Sequence, residues 1–236
     1  MTRNLFLAVM VLLAVAFSGC DQTPTTPTIP TPQPTPVLYP ETSTHSAGVQ
    51  AWAKANFAMA RYNGRIARYD GTVKVYVYPA YTPGAAQMAL DYWNAKIPAD
   101  SETRFVLTSN LSDAMLRVVN EIPPASSPGS EMGCAAGAPI VGSDGRFTSG
   151  TAWLGIGLLP PPACSPTQVG WMLGLLIHEV GHTLGIELHT PPNVGIDIMC
   201  CIPSGTSLEG YDPRTSAGLE EFVAWIYRQK PNTIVR

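Results

Sequence analysis

Residues Val169 to His189 read VGWMLGLLIHEVGHTLGIELH, and the reading of this stretch decides the fold. As far as Leu184 it is apolar almost all round, the pattern of a helix buried on every side. Ser165-Pro166-Thr167-Gln168 precede it as a helix start. Ser165 can cap, Pro166 suits the first helical position, and Gln168 completes a capping box. Gly185 sits where a left-handed C-terminal cap would end the helix. Into this apolar segment fall His178, Glu179 and His182. Burying a carboxylate and two imidazoles without partners costs on the order of several kcal/mol, so something must satisfy them.

The spacing indicates what. His178 and His182 stand one helical turn apart on the same face, so their imidazole nitrogens can converge on one metal ion. Zn²⁺ suits such ligands at about 2.0–2.1 Å. Glu179, next to the first ligand, is turned too far round the helix to join that pair easily and is instead placed to take a proton from a water activated at the metal. The chain has 4 histidines, and three of them, His178, His182 and His189, lie in this one stretch.

HEVGHTLGIELH resembles the extended zinc motif of the metzincins, HExxHxxGxxH, with His178, Glu179, His182 and Gly185 in the motif positions. In that motif the glycine lets the chain turn so that a third histidine returns to the metal. His189 arrives one residue later than the pattern, and we expect it to be the third ligand, with the extra residue absorbed as a bulge in Ile186-Glu187-Leu188. Glu187 is the weaker alternative. The resemblance further implies that Met199, in Ile198-Met199, belongs to a Met-turn that forms a hydrophobic floor under the zinc without ligating it.

Among metzincins the layout of residues 72–229 is most similar to that of the matrixins, the matrix-metalloprotease-like branch. The fold this implies is α+β, a twisted mixed sheet with an active-site helix and a C-terminal helix. It also implies that the strand near Thr151 to Ile156 is the edge on which an extended substrate pairs. The segment after Met199 would wall the pocket for the side chain that follows the scissile bond. Structural Ca²⁺ is common in that branch, but the loop around Ser143-Asp144-Gly145 shows no convincing ligand set.

Upstream, Thr72 to Tyr78 places Val73, Val75 and Val77 on one strand face. Thr82-Pro83 starts a helix expected to reach Ile97, with Met88, Tyr92 and Trp93 on its buried side. Residues Ala47 to Arg68 contain a further candidate helix. Arg104 to Thr108 and Ala114 to Val119 read as strands, Pro123 to Gly150 as mostly loop, and Thr151 to Ile156 as a short strand. A last helix is expected within Tyr211 to Tyr227, with Asp212 or Thr215 near its start.

The N-terminal region reads as an address. Leu5 to Phe17 is an unbroken apolar run, shorter than the roughly 20 residues a membrane-spanning helix needs, and so resembles a signal-peptide core. Phe17-Ser-Gly-Cys20 resembles a bacterial lipobox, which implies lipidation of Cys20 and anchoring at the cell envelope, or secretion if the lipobox is not used. Residues 20–45 then form a Thr/Pro-rich stretch that favours an extended, semi-rigid tether. The expected organisation is a lipoprotein signal peptide over 1–19, the lipidated cysteine and tether over 20–45, and one catalytic domain over 46–236. Outside the cytoplasm, Cys134, Cys164, Cys200 and Cys201 suggest two disulfides. Strain between adjacent cysteines favours the two pairings that link Cys134 and Cys164 to the 200–201 pair, and the Cys134–Cys164 pairing stays open.

With 14 basic and 17 acidic residues, net charge −3 and no Lys/Arg cluster, a nucleic-acid partner is not expected. The apolar content, 45%, excludes disorder for most of the chain. The function these features point to is a zinc-dependent endopeptidase, expected to be monomeric, acting on a protein or peptide and held at a membrane through its lipid. Two alternatives remain. One is a gluzincin-type peptidase that takes Glu220 or Glu221 as third ligand. The other is a zinc-stabilised binding module without turnover, which would have no use for Glu179.

Overall fold

Alternation of apolar and polar residues makes the first strand, β1 (Thr72–Val77), where Val73 and Val75 are buried and Thr72 and Lys74 face solvent. In the computed structural model, which describes residues 47–79, 81, 83–124, 135–155, 158, 169–190, 197–199 and 216–235, it lies within a five-stranded mixed sheet. The other strands are β2 (Arg104–Thr108), β3 (Leu116–Val119), β4 (Ala135–Val141) and β5 (Phe147–Leu154), in the order β2-β1-β3-β5-β4. All neighbours are parallel except β4, which runs antiparallel to β5. The helices are α1 (Ala47–Ala58), α2 (Pro83–Asn94), α3 (Val169–Thr183) and α4 (Ala217–Arg228). The fold class is therefore α+β with a mixed sheet, as expected.

Parallel neighbours need a crossover, and α2 supplies it between β1 and β2. Its buried stripe is Ala86, Ala89, Leu90 and Trp93, continued by Ile97 beyond the helix end. The expectation for Met88 is overturned: it is 56% exposed, because it lies two residues, about half a turn, from Leu90. Tyr92 is only partly buried. Trp93 is fully buried and donates its indole N–H to the Ile177 carbonyl at 2.9 Å, which fastens α2 to α3.

The region expected to be mostly loop holds β4 and the first half of β5. This also moves the sheet edge on that side: β5, which contains most of the Thr151 to Ile156 stretch, is interior between β3 and β4, and among the described strands β4 is the edge there, with β2 at the opposite one. The sequence of β4, AAGAPIV, is poor in the β-branched and aromatic residues that mark strands. Packing requires the small residues instead. A Cβ at Gly137 would stand 2.2 Å from the Glu179 carbonyl oxygen and 2.8 Å from His182 Cβ, so only glycine lets β4 come this close to α3. Pro139 is tolerated because it sits on an edge strand.

The turn joining β4 to β5 accounts for Asp144. Its carboxylate accepts the Arg146 backbone N–H at 3.0 Å and pairs with the Arg146 guanidinium at 2.8 Å. These bonds, with the pairing of Gly142 to Arg146, make it a turn residue.

The last helix, α4, is capped by Ser216, whose hydroxyl accepts the Leu219 N–H. Asp212 and Thr215, expected near its start, lie outside the described residues, as do the signal segment, Cys20, the tether, Ser165 to Gln168, and Cys134, Cys164, Cys200 and Cys201. Among the described residues no helix is long and apolar enough to cross a membrane. The aromatic rings of α1 meet those of α4, Trp52 on Phe222 at 5.1 Å and Phe57 on Phe222 and Trp225 at 5.5 Å each.

The closeness of β4 to α3 has a measurable consequence. Gly137→Ala is expected to lower stability by about 1–3 kcal/mol through overpacking, read as a lower urea midpoint at unchanged slope. Gly84→Ala, where an added Cβ meets nothing within 4 Å, is the control and should lose nothing.

Candidate metal centre

From residue 175 onward α3 is apolar because it is buried, with Leu175, Leu176, Ile177 and Val180 all inaccessible. The residues expected to carry the chemistry share that burial: His178, Glu179 and His182 are only 5%, 5% and 4% exposed. The helix stops in a Schellman motif at the expected place. The Ile186 N–H reaches the Gly181 carbonyl, the Gly185 N–H reaches that of His182, and Gly185 takes φ 98°, a conformation that side chains with a Cβ disfavour.

The reversal brings His189 back to the helix. The Nε2 atoms of His178 and His182 are 3.1 Å apart, and those of His178 and His189 are also 3.1 Å apart. One ring nitrogen from each of the three lies within 4.8 Å of the others. Neither Glu187 nor Glu220 nor Glu221 belongs to this group. Glu187, the weaker ligand candidate, is paired with Arg61 at 2.9 Å, and Glu220 reaches Lys96 at 3.6 Å. The extra residue before His189 is thus absorbed without losing convergence.

Hydrogen bonding selects the tautomers. His178 Nδ1 lies 2.6 Å from the Ile198 carbonyl, and His182 Nδ1 lies 2.7 Å from that of Ile186. A carbonyl can only accept, so each Nδ1 carries the proton and donates it, leaving Nε2 with a bare lone pair. Burial pushes the His178 imidazole down to about 4 and that of His182 well below its ordinary value, so both are neutral near pH 7. Two neutral lone pairs facing each other at 3.1 Å repel, and a cation between them removes the conflict. Tetrahedral zinc with bonds of 2.0–2.1 Å would place its nitrogens about 3.3 Å apart, close to this spacing. The donor set fits a transition-metal ion of the imidazole-binding kind.

Glu179 follows His178 on α3. Its Oε2 is buried without a hydrogen-bond partner, and burial pushes the carboxyl up to about 8. Met199 is fully buried, with its sulfur against α3: a Cβ on Gly181 would come within 2.4 Å of Sδ.

Several residues that hold the ligands carried no recognised sequence signal. Asp197 accepts the Met199 N–H at 2.8 Å and the Ser216 hydroxyl at 2.7 Å, so the turn that presents the Ile198 carbonyl to His178 is tied to the cap of α4. Asn56, on α1, is fully buried and bonds to the backbone of residues 185–188, and the Trp52 indole donates to the Leu188 carbonyl at 3.0 Å. The available hint was Asn56 itself, a polar residue one turn after Trp52 in a helix whose other inward residues are aromatic.

No protein-family model and no curated protein sequence matches this chain.

A metal ion that binds only the folded state, present at a hundred times its Kd, adds about 2.7 kcal/mol of stability. For a domain of this size that is roughly 5–10 °C in Tm. We expect calorimetry to show this gain on adding Zn²⁺ to the metal-free protein, and to show none in the His178→Ala, His182→Ala double variant. An equal gain in both would place the metal elsewhere.

Proposed function

We propose that this chain is a zinc-dependent endopeptidase of the metzincin type, matrixin-like in layout, with His178, His182 and His189 as ligands and Glu179 as general base and acid. One observation carries the reading: a buried carboxylate with an unpartnered oxygen, on the residue next to the first of three converging imidazoles. A purely structural ion would have no use for Glu179, and closed structural zinc sites favour four protein ligands, whereas three converge among the described residues.

Zinc held by the three imidazoles supplies Lewis acidity, which polarises a carbonyl oxygen and lets water act as a nucleophile near neutral pH. The remaining work falls to the chain. Glu179 Oε2 takes one proton from the attacking water as its oxygen bonds to the scissile carbonyl carbon. When the C–N bond breaks, the same carboxyl passes that proton to the leaving amine, which makes the products a free acid and a free amine. Catalysis needs Glu179 ionised at the start, and a divalent cation beside it favours that form against the effect of burial.

The Ile198 and Ile186 carbonyls hold the two helix-borne imidazoles in the ligating tautomer. Met199, packed on Gly181, is the hydrophobic floor of the centre. The peptide is best received along β4, an edge of the described sheet, which lies against α3 at Gly137 and leaves Ile140 63% exposed. Export and anchoring through Cys20 would place this activity at a bacterial cell envelope.

Glu179→Gln separates the roles. It should retain one zinc per chain by metal analysis while kcat/KM on a peptide library falls by about 10²–10⁴-fold, the usual contribution of general acid–base catalysis. Undiminished cleavage in the variant would remove Glu179 from the chemistry. Zinc in both proteins with turnover in neither would favour the binding-module alternative.

A further inference from the structure

His189 is delivered by a short connection, and the contacts that shape it come from far away in the chain. The Asn56 amide bonds to it three times: Nδ2–H donates to the Gly185 carbonyl at 2.8 Å, and Oδ1 accepts the N–H groups of Glu187 at 2.8 Å and Leu188 at 3.0 Å. Trp52 Nε1–H adds the bond to the Leu188 carbonyl, and Arg61 pairs with the Glu187 carboxylate. Trp52 and Asn56 are one turn apart on α1, and Arg61 follows just beyond its end. Asn56 suits this position because it is donor and acceptor at once, and it is fully buried, so its bonds do not compete with water.

We propose that Asn56 is the positioning residue for the third metal ligand, and that metal affinity therefore depends on α1 being docked against residues 185–188. The inference rests on the three-histidine centre described above and not on peptide cleavage. Without the Asn56 amide, one carbonyl and two N–H groups of the connection lose their partners, and His189 is no longer held where its Nε2 meets that of His178. His178 and His182 keep their own supports: the Ile198 carbonyl lies outside the connection, and Ile186 is tied to the end of α3 by its own N–H bond to the Gly181 carbonyl.

The test is a cycle of four full-length proteins: parent, Asn56→Ala, His189→Ala and the double variant. Each is stripped of metal and titrated with Zn²⁺ against a chromophoric chelator. Loss of a supporting hydrogen bond around a metal ligand weakens binding by about 10–100-fold, and that is the loss expected for Asn56→Ala in the parent background. In the His189→Ala background the same substitution should cost nothing further, since the ligand it positions is already gone. A purely structural Asn56 would produce equal losses in both backgrounds, and that result, or no loss in either, overturns the proposal.

If Asn56→Ala does not fold by circular dichroism, Trp52→Phe carries the same cycle. It deletes the indole N–H while leaving a ring to pack on Phe222, and an equal loss in both backgrounds again overturns the proposal. A His189→Ala protein that binds zinc as tightly as the parent overturns more, because the three-histidine centre falls with it. Failure of the Asn56 coupling alone leaves that centre and the proposed function standing.

Discussion

The Nδ1–H groups of His178 and His182 donate to the Ile198 and Ile186 carbonyls, and much of the architecture can be traced to keeping those two carbonyls in place. Each bond converts an ambidentate imidazole into one with its lone pair on Nε2. The Ile186 carbonyl is available because Gly185 adopts a positive φ and reverses the chain. The Ile198 carbonyl is available because Asp197 folds its own side chain back onto the Met199 N–H.

These supports close into a ring. From His178 the contacts run to Ile198, through Asp197 to Ser216 at the cap of α4, and along α4 to Phe222. Phe222 meets Trp52 and Phe57 of α1, α1 carries Asn56, and Asn56 holds the connection that leads to His189, whose Nε2 faces that of His178. Side chains distant in sequence therefore act on one set of ring nitrogens. α3 is also held by β4, which approaches it at Gly137, and by α2 through the Trp93 indole. A ring of this kind is what a site needs if three imidazoles are to face one another at contact distance.

How much of this was legible followed the period of the signal. The histidine pair and the helix end could be read because i, i+4 spacing and a glycine stop are local features, and β1 because its valines alternate. β4 could not, since its residues are chosen for a close approach to α3 that no local pattern reveals. Misplacing β4 also misplaced the sheet edge by one strand, although the neighbouring β5 had been recognised as a strand. Met88 failed for a smaller reason: a large apolar side chain was taken for an inward one, whereas the alanines at 86 and 89 mark the packed face. Asn56 was the hardest to see, because its partners lie about 130 positions away and are backbone groups, which leave no trace in residue identity.

The electrostatics of the centre point the same way as the convergence of its three imidazoles. Burial acts on its groups in opposite directions, driving Glu179 towards its protonated form and the imidazoles away from theirs. In both cases the result is a neutral group, which is what a low-dielectric interior enforces when no charge is present to offset desolvation. A proton shared among the three imidazoles cannot satisfy the cluster, since two of them already spend their Nδ1 protons on carbonyls and are held neutral. A divalent cation acts on all the groups in the favourable sense: it accepts the lone pairs that repel one another and stabilises the carboxylate that burial disfavours. Bound at the three imidazoles, such an ion would turn a site that is a liability to the folded chain into one that stabilises it.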